Sequence, residues 1–225
     1  MKRNAVLALF FCSAGLWAQT PQEEIFSHPL DSKTMDAFNT TCSRLAEHPV
    51  VRGEFEQEKT LSRLNRSLKS SGNFIIAEGF GMVWDTVKPF PSTLVLGKDY
   101  FIQFRPGGQK TVLSAQGNET FLRMAEVISA VFSGNSQGLL DNFKIYYSGS
   151  GDHVGDHVGV AWELGLSPQN NAIGAFAEKI IIKGDDAIRS ITIYEQNGDT
   201  VRYILSNHSY PAELNINEKS FFALP

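Results

Sequence analysis

The sequence has little cysteine and no apolar run long enough to cross a membrane. Only Cys12 and Cys42 occur among the 225 residues, and the predicted leader contains Cys12. No intramolecular disulfide is therefore expected in the mature chain. The longest mostly apolar run, Ala5 to Leu16, is shorter than a membrane-spanning helix. Residues 19–225 must therefore build a core without covalent cross-links, and they are numerous enough to form one domain.

An excess of positive charge is also missing. The chain has 20 Lys and Arg against 24 Asp and Glu, and no segment forms a long basic stripe. Proteins that bind nucleic acid neutralise phosphates with clustered cations. Nucleic acid is therefore excluded as an expected partner.

The N-terminus has the pattern of a secretory signal peptide. Lys2 and Arg3 precede the apolar run, and small residues precede the cleavage site that we predict after Ala18. Lipidation of Cys12 is an alternative, but a lipidated cysteine normally follows a small residue, whereas Phe11 precedes this one. We therefore expect a cleaved leader and an exported protein.

Motifs for catalysis, phosphate binding and metal binding are missing or weak. There is no Gly-x-Ser-x-Gly elbow and no phosphate loop, and "GFG" at 79–81 lacks the third glycine of a dinucleotide fingerprint. The repeat "GDHVGDHV" at 151–158 contains His153 and His157. Its glycines disfavour a helix, and in a strand these residues would lie about 13 Å apart. We predict a polar hairpin loop there and expect no metal site.

One enzymatic alternative remains open. In a secreted hydrolase, Glu78 with Glu54, Glu56 or Glu58 would form a pair of carboxylates in a polar cleft. A binding protein would instead have an apolar cavity.

Two segments have helical periodicity. In the first, apolar residues recur at three- and four-residue steps before Pro49, and the lone cysteine among them is typical of a buried core residue: Met35, Phe38, Cys42 and Leu45. The second is residues 118–134, which interrupts a series of strands and ends at a glycine. Its inward face would contain Phe121, Met124, Ile128 and Phe132.

The rest of the chain consists of short alternating runs separated by turn residues. Examples are "STLVLG", "DYFIQF", "GVAWELGL" and "AIRSITIYE", and "QNGD" at 196–199 is a hairpin signal. The pattern predicts a mainly β chain. We expect one antiparallel sheet with one helix before it and one helix inserted midway.

The segment "GNFIIAEGFGMVW", 72–84, predicts an apolar sheet face. If the chain were extended throughout, every second residue would lie on the same face: Phe74, Ile76, Glu78, Phe80, Met82 and Trp84. An unpaired buried carboxylate is costly, so Glu78 would need a cation or hydrogen-bond donors. A curved sheet with such a concave face, covered by an apolar helix, would enclose a hydrophobic pocket.

The stretch "RGEFEQEKTL … LKSSGNFIIAEGFGMVWDTVKPFPSTLVLG" resembles the LolA-type periplasmic lipoprotein carriers. The matching elements are an F-x-Q strand, a G-x-F strand, a strand with tryptophan, a proline turn and an apolar strand: Phe55 and Gln57, Gly72 and Phe74, Trp84, Pro89, and Leu94 to Leu96. The later "LLDNFKIYYSG … WELGLSP … IIIKG … ITIYEQNGD" also matches, so the similarity runs from about Thr34 to Ser206.

The resemblance implies an open antiparallel half-barrel with a helical lid over a hydrophobic cavity. It implies a non-enzymatic carrier, without a cofactor, that takes acylated lipoproteins, or another acylated lipid, from an inner-membrane exporter to an outer-membrane acceptor. We expect a monomer. A lipid-sensing regulatory module of the same fold is the alternative.

The expected lipid-binding residues come from the strand phases and the inserted helix. They are Phe74, Ile76, Phe80, Met82, Trp84, Leu94, Leu96, Ile102, Phe121, Met124, Ile128, Phe132, Trp162 and Leu164, with Leu166 and with Phe101 as the alternative to Ile102. Classical carriers have an arginine-proline pair, whose arginine holds the lid closed, where this chain has Glu78 and Gly79. We therefore expect a charge-exchanged lid latch between Glu78 and Arg123, in preference to Lys88, Lys98 or Arg105.

Overall fold

An eleven-stranded antiparallel sheet forms the body of the molecule. The computed structural model describes residues 24–97, 100–106, 109–114, 130–132, 134–149 and 162–223. The strands are β1 (Val50–Leu61), β2 (Arg66–Ala77), β3 (Gly81–Lys88), β4 (Ser92–Leu96), β5 (Tyr100–Arg105), β6 (Gln109–Ser114), β7 (Phe143–Gly149), β8 (Trp162–Pro168), β9 (Ala177–Gly184), β10 (Ile188–Glu195) and β11 (Thr200–Ser209).

The spatial order of the strands leaves the sheet open. It reads β6-β5-β4-β3-β2-β1-β11-β10-β9-β8-β7, so β6 and β7 are the two edges. Every pair of neighbouring strands is antiparallel. The prediction of a mainly β, open antiparallel architecture with a few helices is confirmed.

Short helices flank the sheet. They are α1 (Met35–Leu45), α2 (Ser136–Asn142), α3 (Asn171–Gly174) and α4 (Ile216–Phe221), and 3-10 turns occupy Glu24–Ser27 and Ser62–Leu64. The predicted first helix is confirmed as α1, with Phe38 and Cys42 buried. Of the second predicted helix, residues 130–132 are helical, whereas 118–129 lie outside the described residues. Gly134, at φ +61°, passes so close to α1 that a Cβ would collide with the Cys42 carbonyl.

We define the inner face of the sheet as the one that carries Phe74 and Trp84, which are directly opposite each other on β2 and β3. Directly opposed residues share a face of a sheet. The main core lies on this face, where α1 and residues 130–132 pack against β1 and β7–β11. Its members with no more than 2% exposure are Phe38, Phe55, Phe74, Leu139, Phe143, Leu166, Ile173, Ala177, Ile182, Ile188 and Leu205.

The outer face of the sheet is covered in part by the C-terminal segment. Val83, Val95 and Ile102 form a buried cluster there, and Phe221 and Phe222 pack against it. The segment is fixed by polar contacts as well. Arg52 on β1 pairs with Glu218 of α4 at 2.6 Å, and the Tyr100 hydroxyl donates to the Phe222 carbonyl at 2.6 Å.

The chain reverses direction between β2 and β3, inside the stretch whose alternate residues were expected on one face. Gly79 and Gly81 have φ values of +76° and +126°, which glycine adopts without steric cost. A Cβ on Gly81 would also collide with the Leu96 carbonyl. The strand phase therefore cannot be carried straight through residues 78–80, because these residues form a turn.

The turn removes two predicted residues from the inner face. Phe80 is 42% exposed and its ring lies 5.7 Å from that of Phe222, beside the outer-face cluster. Glu78 is exposed, and its backbone N–H donates to the Pro49 carbonyl at 2.8 Å. The expectation that Glu78 lies among apolar neighbours is wrong, because it is a solvated turn residue.

Candidate functional site

Four aromatic side chains meet on the inner face around Trp84. The Trp84 ring stacks on Phe55 at 4.1 Å between centroids and lies nearly parallel to Phe74 at 5.9 Å. Tyr203 meets it edge-on at 5.4 Å. Phe55 and Phe74 are buried, whereas Trp84 and Tyr203 are half-buried. The neighbouring strands β3, β2, β1 and β11 thus supply one ring each, and Trp84 retains partly accessible surface.

The apolar surface continues from Trp84 across β2, β4 and β5. Ile76 lies opposite Met82, and Leu94 lies opposite Trp84. Leu96 extends the same face from β4, and Met82 and Leu96 are buried whereas Ile76 and Leu94 are half-buried. These five predicted residues therefore share one face of adjacent strands. This arrangement suits contact with a flexible apolar ligand.

The register decides between Phe101 and Ile102. Phe101 lies opposite Leu96 and so belongs to the inner face. Ile102 lies opposite Val95, in the outer-face cluster. Ile102 is therefore placed on the opposite side of the sheet from Trp84.

The other described candidates belong to the main core. Phe132, Trp162, Leu164 and Leu166 are buried on the inner face with α1, and the Trp162 indole donates to the Asp185 carbonyl at 2.8 Å. A cavity between α1, β7 and β8 has a volume of about 10 Å³, which is close to the space that one water needs. In this structure, these residues pack mainly against protein.

Four predicted residues lie outside the described part of the chain. They are Phe121, Met124, Ile128 and Arg123, so the lid face and the latch partner stay predictions.

Comparison of the sequence with protein-family models identifies the family of this chain. The family model described as "Outer membrane lipoprotein carrier protein LolA" matches residues 48–221. The chain belongs to the LolA family. The resemblance predicted from the F-x-Q, G-x-F and tryptophan strands is thereby confirmed. No curated protein matches this LolA-family chain in sequence.

Several solved structures are similar to this LolA-family chain at low identity. A LolA superfamily protein from Nitrosomonas europaea has 7% identity and a TM-score of 0.44, with 84% of this chain and 97% of that chain covered. A putative outer membrane lipoprotein-sorting protein domain from Vibrio parahaemolyticus has 11% identity and a TM-score of 0.41, with 83% of this chain and 97% of that chain covered. The MucA/MucB complex of Pseudomonas aeruginosa has 11% identity and a TM-score of 0.43, with 80% of this chain and 59% of that chain covered.

The carboxylates of the hydrolase alternative do not meet in this LolA-family chain. Glu54 and Glu56 are exposed on the outer face of β1, and Glu54 accepts a hydrogen bond from the Asn207 side chain at 2.9 Å. Glu54 lies opposite Asn73, five residues before Glu78, which corresponds to about 16 Å along a strand. Glycosidase carboxylates are separated by about 5–9.5 Å. The geometry therefore does not support this alternative.

Metal binding and membrane spanning find no support in the described ranges. Those residues contain no group of three or more His, Cys, Asp or Glu placed to hold a metal ion. The "GDHVGDHV" repeat lies outside them. No helix in the same part of the chain has the length and apolar character to cross a membrane.

Burial raises the pKa of two ionisable groups beside the core. Burial, with a smaller effect of the Glu195 charge, raises the pKa of Tyr203 to about 12. Burial alone raises the pKa of the Cys42 thiol to about 11. At one end of the inner face, Lys59 contacts both oxygens of Glu195 at 2.8 and 2.9 Å, and on β5 Arg105 donates to the Gln103 side chain at 3.1 Å. The side chains that directly surround Trp84, namely Phe55, Phe74, Leu94 and Tyr203, carry no charge at neutral pH.

Sequence reasoning missed two members of the aromatic cluster, Phe55 and Tyr203. Phe55 is part of the F-x-Q element but is not among the expected lipid-binding residues. Alternation along β1 puts Phe55 and Gln57 on one face, and alternation along β11 puts Tyr203 and Leu205 on one face. The pairing of Phe55 with Leu205 and of Gln57 with Tyr203 makes these the same face.

Proposed function

We propose that this chain is a periplasmic carrier that binds the acyl chains of lipoproteins, or of another acylated lipid, on the inner face around Trp84. It would carry them from the inner to the outer membrane. The observation behind this proposal is the uncharged, partly accessible surface formed by Ile76, Trp84, Leu94 and Tyr203. Membership of a family named for outer-membrane lipoprotein carriers supports the same function.

The physical basis is the transfer of methylene groups from water to this surface. Each buried methylene contributes about 0.8 kcal/mol, so a long acyl chain supplies enough free energy for binding without any charged contact. Flat aromatic rings offer a large contact area and little conformational entropy to lose. Gln103 lies opposite Leu94 on the same face. Its side-chain oxygen accepts a hydrogen bond from Arg105 at 3.1 Å, which leaves its NH2 group to donate to a polar group near the start of an acyl chain.

The remaining parts of the proposal follow from the sequence. Residues 1–18 are the leader that directs export, and residues 19–225 act as one non-enzymatic, monomeric carrier domain. The segment 118–134 is the lid, with Phe121, Met124 and Ile128 turned to the ligand. An inner-membrane exporter and an outer-membrane acceptor are the expected partners.

Native mass spectrometry of the protein purified from its own periplasm tests the proposal. We expect a mass increment that organic extraction removes and that contains an acylated molecule. Leu94→Glu places a charge on the inner face and should abolish the increment. The matched control is Val112→Glu, because Val112 is exposed opposite Ile102 on the outer face. An absence of acylated ligand in the parent, or equal loading of both variants, would contradict the proposal.

A further inference from the structure

We propose that one end of the sheet is a contact surface for anionic lipid membranes. We define this basic apolar end by four apolar and four cationic residues: Leu64, Leu68, Val87 and Phe90, with Arg63, Arg66, Lys69 and Lys88. They come from the β1–β2 hairpin tip and from the end of β3 with the turn that follows it. The surface lies beyond the aromatic cluster, and its membrane contact does not depend on carriage of an acyl chain.

Large apolar side chains are concentrated and exposed at this end. Phe90 is 82% exposed, Leu64 65%, Leu68 57% and Val87 45%. They are four of the nine large apolar residues that are exposed in the described part of the chain. They fall in two short stretches, 64–68 and 87–90, at the same end of the neighbouring strands β2 and β3. A group of exposed apolar side chains in one region marks an interaction surface.

The hairpin tip projects beyond the strand beside it. The last pair of β2 with β3 is Ser71 opposite Lys88, whereas β2 continues with β1 to Arg66 opposite Leu61. Five further residues correspond to about 16 Å of hairpin with no β3 alongside. Phe90 follows Lys88 in the turn at the base of this projection. A membrane that lies along this free flank of β2 can therefore contact the hairpin tip and the turn that contains Phe90 together.

The other side of the projection is braced, which keeps the tip in place. The backbone N–H of Ser62 donates to the Asp199 side chain at 2.9 Å. Lys59 holds Glu195 at 2.8 Å and approaches Asp199 at 4.0 Å. These two acids therefore lie beside the hairpin tip, where Ser62 and Lys59 are their partners.

The charge of this end is opposite to that of the whole chain. Residues 61–69 and 86–91 contain four cations and no acid, whereas the chain has 24 Asp and Glu against 20 Lys and Arg. Lys69 approaches Glu58 at a distance of 4.0 Å, and this is a loose, exposed pair. Cations beside Leu and Phe are the composition that binds the interface of anionic bilayers. An anionic membrane would attract this end and repel the acidic remainder, which orients the molecule.

The inner face leads toward the same end. On β2, Leu68 lies opposite Lys59 and Phe74 lies opposite Gly53, so both side chains are on the inner face. Contact of the tip with a bilayer would therefore bring one end of that face to the lipid. We commit to a membrane as the occupant because charge complementarity and individually projecting side chains favour it over a shaped protein groove.

Co-sedimentation with sucrose-loaded vesicles tests this inference on the ligand-free protein. One vesicle set contains phosphatidylethanolamine and phosphatidylglycerol, and the other contains phosphatidylcholine alone. We expect the parent to pellet with the anionic set at low salt and to be released at high salt. Phe90→Ser should weaken partitioning about tenfold through lost apolar burial. Arg63→Ser should weaken it roughly fivefold through lost attraction.

Matched controls separate this surface from general stickiness and from ligand binding. Ile216→Ser removes an equally exposed apolar residue, at 83%, from α4, and Lys33→Ser removes an exposed cation before α1. Both should bind like the parent. A protein that only extracts single lipid molecules onto its inner face stays in the supernatant, so lipid carriage alone does not give the pelleting expected for membrane contact. No pelleting with anionic vesicles would overturn the inference. Equal loss in the control variants would also overturn it.

Discussion

Replacement of Trp84 by alanine should weaken both folding and acyl-chain binding. Trp84 contacts Phe55, Phe74 and Tyr203 at centroid distances of 4.1, 5.9 and 5.4 Å. Full truncation of a buried aromatic residue costs about 3–5 kcal/mol. Because Trp84 is only half-buried, we expect a loss of about 2–3 kcal/mol in the free energy of unfolding.

The accessible part of the ring sets the effect on the ligand. Loss of one aromatic contact worth about 1.4 kcal/mol raises the dissociation constant about tenfold. Titration with a fluorescent fatty acid measures this affinity. Urea unfolding followed by circular dichroism measures stability, because the substitution removes a fluorescent reporter. Trp84→Phe should recover most of both losses, since a ring remains stacked on Phe55.

A control on the opposite face distinguishes ligand contact from general destabilisation. Phe104 is also a half-buried aromatic residue, but it packs against the outer-face cluster. Phe104→Ala should therefore lower stability by about 2 kcal/mol and leave the affinity for the fatty acid unchanged. If Trp84→Ala binds as tightly as the parent, or if both variants lose the same affinity, the inner face around Trp84 is not the binding surface.

Three further outcomes are expected. Arg52→Ala should lower the free energy of unfolding by about 1–2 kcal/mol and speed proteolysis of the C-terminal segment, since it unpairs Glu218; unchanged cleavage would show that the pair does not hold the segment. Cys42, with its pKa raised by burial to about 11, should react with iodoacetamide much more slowly in the folded protein than in urea. Burial, then the charge of Arg189, lowers the pKa of His208 below its unfolded value of 6.5. The unfolded state then binds more protons, so stability should fall as the pH drops below about 6.5, and His208→Phe should reduce this slope in urea titrations.

The inner-face residues of β2 and β3 were predictable from strand phase, whereas the positions of the turn residues Glu78 and Phe80 were not. The antiparallel register pairs even-numbered residues with even-numbered residues, so Phe74 and Trp84 share a face whether or not the chain reverses. Counting every second residue therefore predicts the correct face for Phe74 and Trp84. It failed for Phe80, because a residue inside a turn has no strand phase. The sequence signal for the turn is the pair Gly79 and Gly81, because glycine adopts positive φ values without steric cost.

Alternation along β5 could not show which of its residues face the inner side, because both faces of the sheet are covered at this strand. Phe101 points to the inner face, while Ile102 packs under Phe221 and Phe222 on the outer face. The run "DYFIQF" is consequently apolar in both phases. The decisive information is the docking of the C-terminal segment, a contact between distant parts of the chain that no local pattern encodes.

The order of the strands has a consequence for folding kinetics. Every strand pairing joins neighbours along the chain except the one between β1 and β11, where Phe55 lies opposite Leu205, 150 positions later. Nine hairpin pairings can thus form by closing short loops, whereas this seam requires a long one and should form late. A chain cut between β6 and β7 would leave two complete meanders. Their reassociation through the β1–β11 seam would make this protein a natural candidate for fragment complementation.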